Sequence, residues 1–486
     1  MNQLMSNNKR NFLKVSSTML GASLVAPLDS LAQAVKTDAN PGQNATRRMA
    51  QYALNVKYED LPTKIVDECL RAFVNFSGVT TGSCRHEAVD ISIKSLAPVS
   101  KSNQATILGR KERFDILNAA FINGVSSHVF DFDDTHLVTN VHAAGPIASA
   151  LLAYAEYRPV SGKEFLTSFY LGIEMSIRLS NALHPGHAGI GWHVSGTTPT
   201  IGAALAVGRL MGLTEQQMIW AIGLAASQPV GFRESFGSMN KSFNPGRSAS
   251  SGLFSALLAK NNFTSSNQTI ESRIGWANSL SVNRDYHEML DDLGVRFETA
   301  LDTYKPFACG IVIHPAIDAA IQLRNKYQLQ ADQIKSIQLK GNPMVLELTG
   351  KKQPQTGLEG KFSVYHSVAV AILNGKAGEK EYSDAIVLDP KTIALRNKIE
   401  VEVDPNIPKK SGDLTITLND GKVLNQFVEN AVGSVEKPMT NAQLNEKFHD
   451  LVDEILPIKN ANRLLDASWK INTFADVGKF PKLSVR

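Results

Sequence analysis

The stretch from His128 to Gly145, HVFDFDDTHLVTNVHAAG, places three aspartates, three histidines and two phenylalanines within eighteen residues. Adjacent carboxylates repel one another, and burial among apolar neighbours pushes their pKa values up unless a cation or donor offsets the charge. Such crowding suits proton transfer, in which a carboxylate tunes a histidine, but also the capping of neighbouring helices or pairing with surface arginines. Position speaks for chemistry. The spacing predicts a helix over 112–130, with Phe114, Leu117, Phe121, Val125 and Val129 near one face. Asp131, Asp133 and Asp134 follow at its C-terminal end, where the helix dipole disfavours anions.

Other segments supply the groups such a site would need. They are His142 in VHAAGPI, His193 in GWHVSGTTP, Lys241 in SMNKSFNPGRSAS, Lys305 in TYKPFACGIVIHP and His366 in FSVYHSVAV. Each sits at a helix start or in a break rich in Gly, Pro or Ser, where a backbone can approach a ligand. Removing a proton next to a carboxylate builds negative charge on that carboxylate. The reaction therefore needs a base of near-neutral pKa and cations aimed at the developing charge. His142 or His193 fits the base and Lys241 with Lys305 the cationic clamp, while Asp131 would orient or tune a histidine. Which histidine takes the proton is left open by the residue types. Cys309 is a candidate second acid or base, set against its reading as a buried inert thiol.

The elements that must position these groups change character along the chain. From about residue 60 to about 290 the period is helical, with capping boxes at Ser161…Glu164 and Thr214…Gln217 and dense small residues in GPIASALLAYAEY, TIGAALAVGRLMG and SGLFSALLA. After residue 330 apolar residues alternate in SIQLKGN, KIEVEV and LTITL, and Asp420-Gly421 reads as a hairpin turn. Residues 362–374 read as a helix, and from Thr440 helical periodicity returns. The reading is a mainly α protein with a smaller α+β domain.

The 486 residues suggest two domains, and 43% apolar with 20% charged residues excludes a disordered or fibrous class. A formal charge of +4, half of it within the first 34 residues, does not suggest a nucleic-acid partner. Those first residues hold Lys9-Arg10, an apolar run and Ala32-Gln33-Ala34, the build of a twin-arginine-like export signal with Lys in place of the first arginine. A mature chain starting near Val35 in the periplasm is expected, without a membrane anchor. Three cysteines, Cys69, Cys84 and Cys309, make no disulfide framework, although a Cys69–Cys84 bridge remains open.

Taken together, DFDDTH at 131–136, the His142 segment, GWHVSGTTPTIGAA, the Lys241 segment with GRSASSGL, YKPF with the later HPA, and KFSVYHSVAVA resemble the MmgE/PrpD family from about residue 45 to the end. The family's members dehydrate, decarboxylate or epimerise small carboxylates. The resemblance implies a large helical bundle domain, here 45–295 with 440–480, and an α+β lid domain, here 296–439. It also implies a homodimer, a small anionic carboxylate substrate, and no metal or organic cofactor. The family's motif residues match Asp131, Thr135, His142, His193, Lys241 and Lys305, and a tyrosine of some members corresponds to His366. Ala143-Ala144 replaces Pro-Gly, Asn244 replaces a common histidine, and Gly310 stands where decarboxylase-like members carry histidine, which weakens a decarboxylase reading.

The expectation is a cofactor-independent lyase or isomerase, 2-methylcitrate dehydratase-like, acting on a di- or tricarboxylate. Thr135, His366 and Cys309 are candidates for substrate binding. The alternatives are an epimerase of an iminodisuccinate-type substrate, a carboxylate-binding protein without turnover, and a divalent-metal site in a helical hydrolase or synthase. Against the last, Asp-x-Asp-Asp lacks the Asp-Asp-x-x-Asp spacing, and two lysines would repel an ion.

Overall fold

The structure is a computed structural model that describes residues 42–486. The expected export signal lies outside the described residues. Among those residues, no helix is long and apolar enough to cross a membrane.

Helices begin where side chains satisfy the first free backbone N–H groups. Thr214 and Gln217 cap each other at the start of Glu215–Ala226, as Thr440 and Gln443 do for Asn441–Val452. Ser161 accepts from Glu164 N at the start of Gly162–Leu183, but the reciprocal half of the expected box is missing, because the Glu164 carboxylate pairs with Arg209 instead. The helix expected over 112–130 is Ile116–Val129: Asp115 accepts from Leu117 N and Asn118 N, and the residues before it pair as a short hairpin, Ala105–Thr106 with Arg113–Phe114.

The small residues let helix backbones approach closely. A Cβ on Gly124 would lie 2.7 Å from Gly246 Cα, so Ile116–Val129 and Asn240–Lys260 touch backbone to backbone. A Cβ on Gly202 would likewise meet Gly172 O of Gly162–Leu183 at 2.5 Å. The returning helix Asn441–Val452 packs on Thr63–Gly82, with Phe448 against Gly78 and Leu451 against Gly82.

The α+β part holds a four-stranded sheet. Ile334–Gly341 pairs in parallel with Ile399–Val403 on one side and antiparallel with Gly412–Leu418 on the other, and Val423–Val428 forms the edge. Burial alternates along Gly412–Leu418, with Leu414 and Ile416 inward toward helix His314–Tyr327. The hairpin turn differs from a two-residue loop. Leu418 N bonds Lys422 O, and only Gly421 of the Asp-Gly pair has positive φ, at 88°. This is the longer loop closed by a left-handed glycine.

All three cysteines are free. Cys69 lies within the helix ending at Gly82 and Cys84 just beyond it. Fifteen residues of nearly straight helix separate them by roughly 20 Å, too far to bridge.

Candidate active site

The Ile116–Val129 helix delivers His128 in its last turn, and the chain then turns sharply at Asp131, whose φ is 50°. That left-handed turn aims the carboxylate at two buried lysines. Lys305, just after strand Asp302–Tyr304, donates to Asp131 Oδ1 at 2.6 Å and to Asp131 O at 3.1 Å. Lys241, from the first turn of Asn240–Lys260, donates to the same Oδ1 at 3.0 Å.

The relay continues through His128. Its Nε2 lies 2.7 Å from Lys241 Nζ and its Nδ1 2.5 Å from Asp133 Oδ2. An ammonium has only protons to offer. Nε2 therefore accepts, Nδ1–H donates to Asp133, and the imidazole is neutral. Burial, and then the charge of Lys241, hold the His128 pKa well below the ordinary histidine value.

The same reasoning assigns His142. Its Nδ1 lies 2.6 Å from Asp134 O, which can only accept, so Nδ1 carries the proton and Nε2 keeps its lone pair. Burial lowers its pKa well below the usual value, against the pull of Asp133. Ser195 Oγ accepts from His142 N at 3.0 Å, and Asp134 Oδ2 accepts from Ala143 N and Ala144 N at 2.9 Å each, fixing the segment at the start of Ala144–Tyr157. His193 has the opposite tautomer. Asn244 Nδ2 donates to its Nδ1 at 2.9 Å, leaving the proton on a buried Nε2 that has no protein partner among the described residues.

Burial alone would raise the Asp131 pKa, but Lys241 and Lys305 overcome it and hold it well below the carboxylate range. Burial and Lys305 depress Lys241; for Lys305 the attraction of Asp131 and Asp133 outweighs burial, and its pKa rises. The two lysines are thus unequal, with Lys241 the readier to shed charge or change partner. Its Nζ also sits over the rings of Phe236 and Phe362, at 5.4 and 5.7 Å from their centroids.

Asp131, His142, His193, Lys241 and Lys305 line one cavity of about 260 Å³, and Arg233, Glu347 and Lys409 contribute to its lining. The other three expected residues are not on its wall. Thr135 is buried behind His142, its Oγ1 at 3.2 Å from Nδ1, and it orients that ring rather than reaching a ligand. His366 is buried on Val364–Asn374 with Nε2 at 2.9 Å from Glu381 O, away from the five. Cys309 is buried, and burial pushes its thiol up to about 12, so it stays protonated.

His128, Asp133 and His142 are close enough to be considered as metal ligands. His128 Nε2, however, already accepts from Lys241, and the neighbouring Lys241 and Lys305 ammoniums oppose a cation. The donor set suits a proton relay and an anion better than a metal cation.

The MmgE/PrpD N-terminal domain matches residues 47–289 and the MmgE/PrpD C-terminal domain residues 307–472. The chain belongs to the MmgE/PrpD family. It is 21% identical to cis-aconitate decarboxylase of Aspergillus terreus over 476 residues, covering 92% of this chain and 97% of that one. The human cis-aconitate decarboxylase is 25% identical over 460 residues, 88% of this chain and 93% of the relative. The 2-methylcitrate dehydratase of Cupriavidus necator is 24% identical over 437 residues, 80% and 87%. The expectation of an enzyme of the lyase class holds, as does the mainly α fold with a smaller α+β part.

Sequence reasoning missed His128 as a site residue, although it stands at the head of the quoted stretch. Its place three residues before Asp131, in the last turn of the helix, was the available signal. Lys361 and Lys447, which reach this region through backbone carbonyls, carried none.

Proposed function

We propose that this MmgE/PrpD enzyme is a cofactor-independent, dehydratase-like lyase that removes a proton next to a carboxylate of a small di- or tricarboxylate. One observation carries the reading: His142, with its Nε2 lone pair free, shares a cavity wall with Lys241 and Lys305, two ammoniums converging on a single carboxylate oxygen. A substrate carboxylate entering the cavity competes with Asp131 for Lys241, whose charge is the less firmly held. Nε2 of His142 takes the proton, and the lysines stabilise the charge that develops on the substrate carboxylate. His193 offers its Nε2–H as a hydrogen bond to the departing hydroxyl, and the imidazolium formed at His142 supplies the proton with which that hydroxyl leaves as water. This pairing favours elimination of a hydroxyl as water over exchange of the same proton in an epimerase. The relatives named for cis-aconitate and 2-methylcitrate support the substrate class. The leader, Lys9-Arg10 with Ala32-Gln33-Ala34, supports export as part of the proposal.

The test is incubation with 2-methylcitrate, cis-aconitate and related carboxylates in heavy water, followed by NMR with and without EDTA. Deuterium exchange next to a carboxylate or loss of water, unaffected by EDTA, is expected. Binding without exchange of any proton would replace the enzyme with a carboxylate-binding protein. Loss of activity in EDTA, restored by a divalent cation, would put the metal site first.

A further inference from the structure

The chain around Asp131 is held in an unusual way. Three consecutive carbonyl oxygens each accept from a different buried lysine: Phe130 O from Lys361 at 2.8 Å, Asp131 O from Lys305 at 3.1 Å and Phe132 O from Lys447 at 2.6 Å. The two outer lysines do not line the main cavity. Each instead spans from the Asp131 turn to the Lys305 turn. Lys361 also donates to Ala308 O at 3.0 Å, and Lys447 also donates to Lys305 O at 2.8 Å. Each further rests on the ring of its own phenylalanine, Lys447 at 3.9 Å over Phe132 and Lys361 at 5.7 Å over Phe130. In the run Phe-Asp-Phe, both flanking residues thus offer a carbonyl and a ring to one ammonium.

A helix C-terminus leaves carbonyls without partners and repels a carboxylate. The commoner solution is a glycine that turns left-handed and closes the helix on itself. Here the left-handed residue is Asp131, and ammoniums take the carbonyls. Buried ammoniums are costly unless their protons are all used. Lys361 uses Phe130 O, Ala308 O and the Glu379 carboxylate, and Lys447 uses Phe132 O, Lys305 O and Asn75 Oδ1 at 2.8 Å. Four of the six contacts go to backbone carbonyls on the two turns that bring Asp131 and Lys305 together.

We propose that Lys361 and Lys447 are positioning residues for the reaction, two staples that fix the Asp131 turn against the Lys305 turn and so set the geometry of Asp131, Lys241 and His128. Displacements of about 1 Å at such a site can cost a hundredfold in rate.

The inference rests on the proposed reaction for its kinetic arm only. In Lys447→Met, kcat falls tenfold or more while KM changes less than threefold, and Lys447→Arg, which restores the charge and the donors, recovers part of the loss. The second arm needs no substrate. With 15N-labelled histidine, the His128 ring signals of the free protein shift in Lys447→Met, because Lys241 no longer holds Nε2 in one place, and Lys447→Arg moves them back. Should Lys447→Met not fold, Asn75→Leu, which removes only the outer anchor, is expected to shift the same signals less and in the same direction. A folded Lys447→Met or Asn75→Leu with unchanged His128 signals would overturn the inference. A wild type that converts no carboxylate would overturn the proposed function, and the ring signals would still decide the staples.

Discussion

Two clusters of buried charge sit in the helical part of this molecule, and they are built to different rules. Arg178 and Glu174, one turn apart on Gly162–Leu183, are fully buried and closed. Arg178 donates to Glu174 at 2.7 Å, to Asp291 O at 2.8 Å and to Arg296 O at 2.5 Å. Glu174 accepts from Glu298 N at 3.1 Å and from Thr299 N and Oγ1 at 2.9 Å. The Asp131 cluster is equally buried but open. Asp131 Oδ2, Asp133 Oδ1, Asn244 Oδ1 and His193 Nε2 have no hydrogen-bond partner among the described residues. Buried polar atoms are rarely left so, and each exception asks for a cause. The difference teaches that burial of charge does not mark a site; unfinished hydrogen bonding facing a cavity does.

The comparison breaks most visibly at its closed end. Arg178→Met leaves the Glu174 carboxylate buried without its counter-charge, and the expected loss is about 3–5 kcal/mol of stability. Chemical denaturation measures it, and kcat per folded molecule should stay within about twofold. A stable Arg178→Met protein would show that the closed cluster is less of a support than its bonds suggest. At the open end the balance reverses. Lys241→Met should cost about a hundredfold in kcat, equivalent to about 2.7 kcal/mol of transition-state stabilisation. Its stability should change by no more than about 1 kcal/mol, because burial and Lys305 already work against the Lys241 charge. Normal kcat at normal stability would remove Lys241 from the reaction.

The same contrast explains what could be read from the chain. Helix starts were legible at Thr214 and Thr440, because cap and helix are neighbours in sequence. Ser161…Glu164 was half right, since a distant Arg209 takes the glutamate. The five residues on the cavity wall were legible because each lies at the end of an element or in the break beside it. His366 and Cys309 lie in equally suggestive segments, yet which way a side chain faces depends on packing against Tyr382 and Glu381, which spacing does not encode. Lys361 and Lys447 act on carbonyl oxygens, which every residue possesses, so nothing in the sequence could single them out.

A third carboxylate group sharpens the comparison, because its missing partner is a proton. Asp134 caps the Ala144–Tyr157 helix through Oδ2, while its Oδ1 and the Oδ2 of Asp302 on the neighbouring strand are buried without a hydrogen-bond partner among the described residues. Burial, and then the charge of Asp133, push Asp134 up to about 6, while burial and Asp134 push Asp302 well above the carboxylate range. In the unfolded chain both ionise near pH 4. Between that pH and about 6 the folded protein therefore binds more protons than the unfolded one, and stability falls as pH rises. Asp302→Asn substitutes an amide donor for the shared proton and removes one of the two competing charges. It should equal wild type near pH 4 and exceed it by on the order of 1–3 kcal/mol at pH 8. Urea unfolding of both proteins across that range measures the difference. A gap that stays constant with pH, or that favours wild type at pH 8, would mean that the pair is closed by protein groups as Arg178 and Glu174 are, and that the proton is not its missing partner.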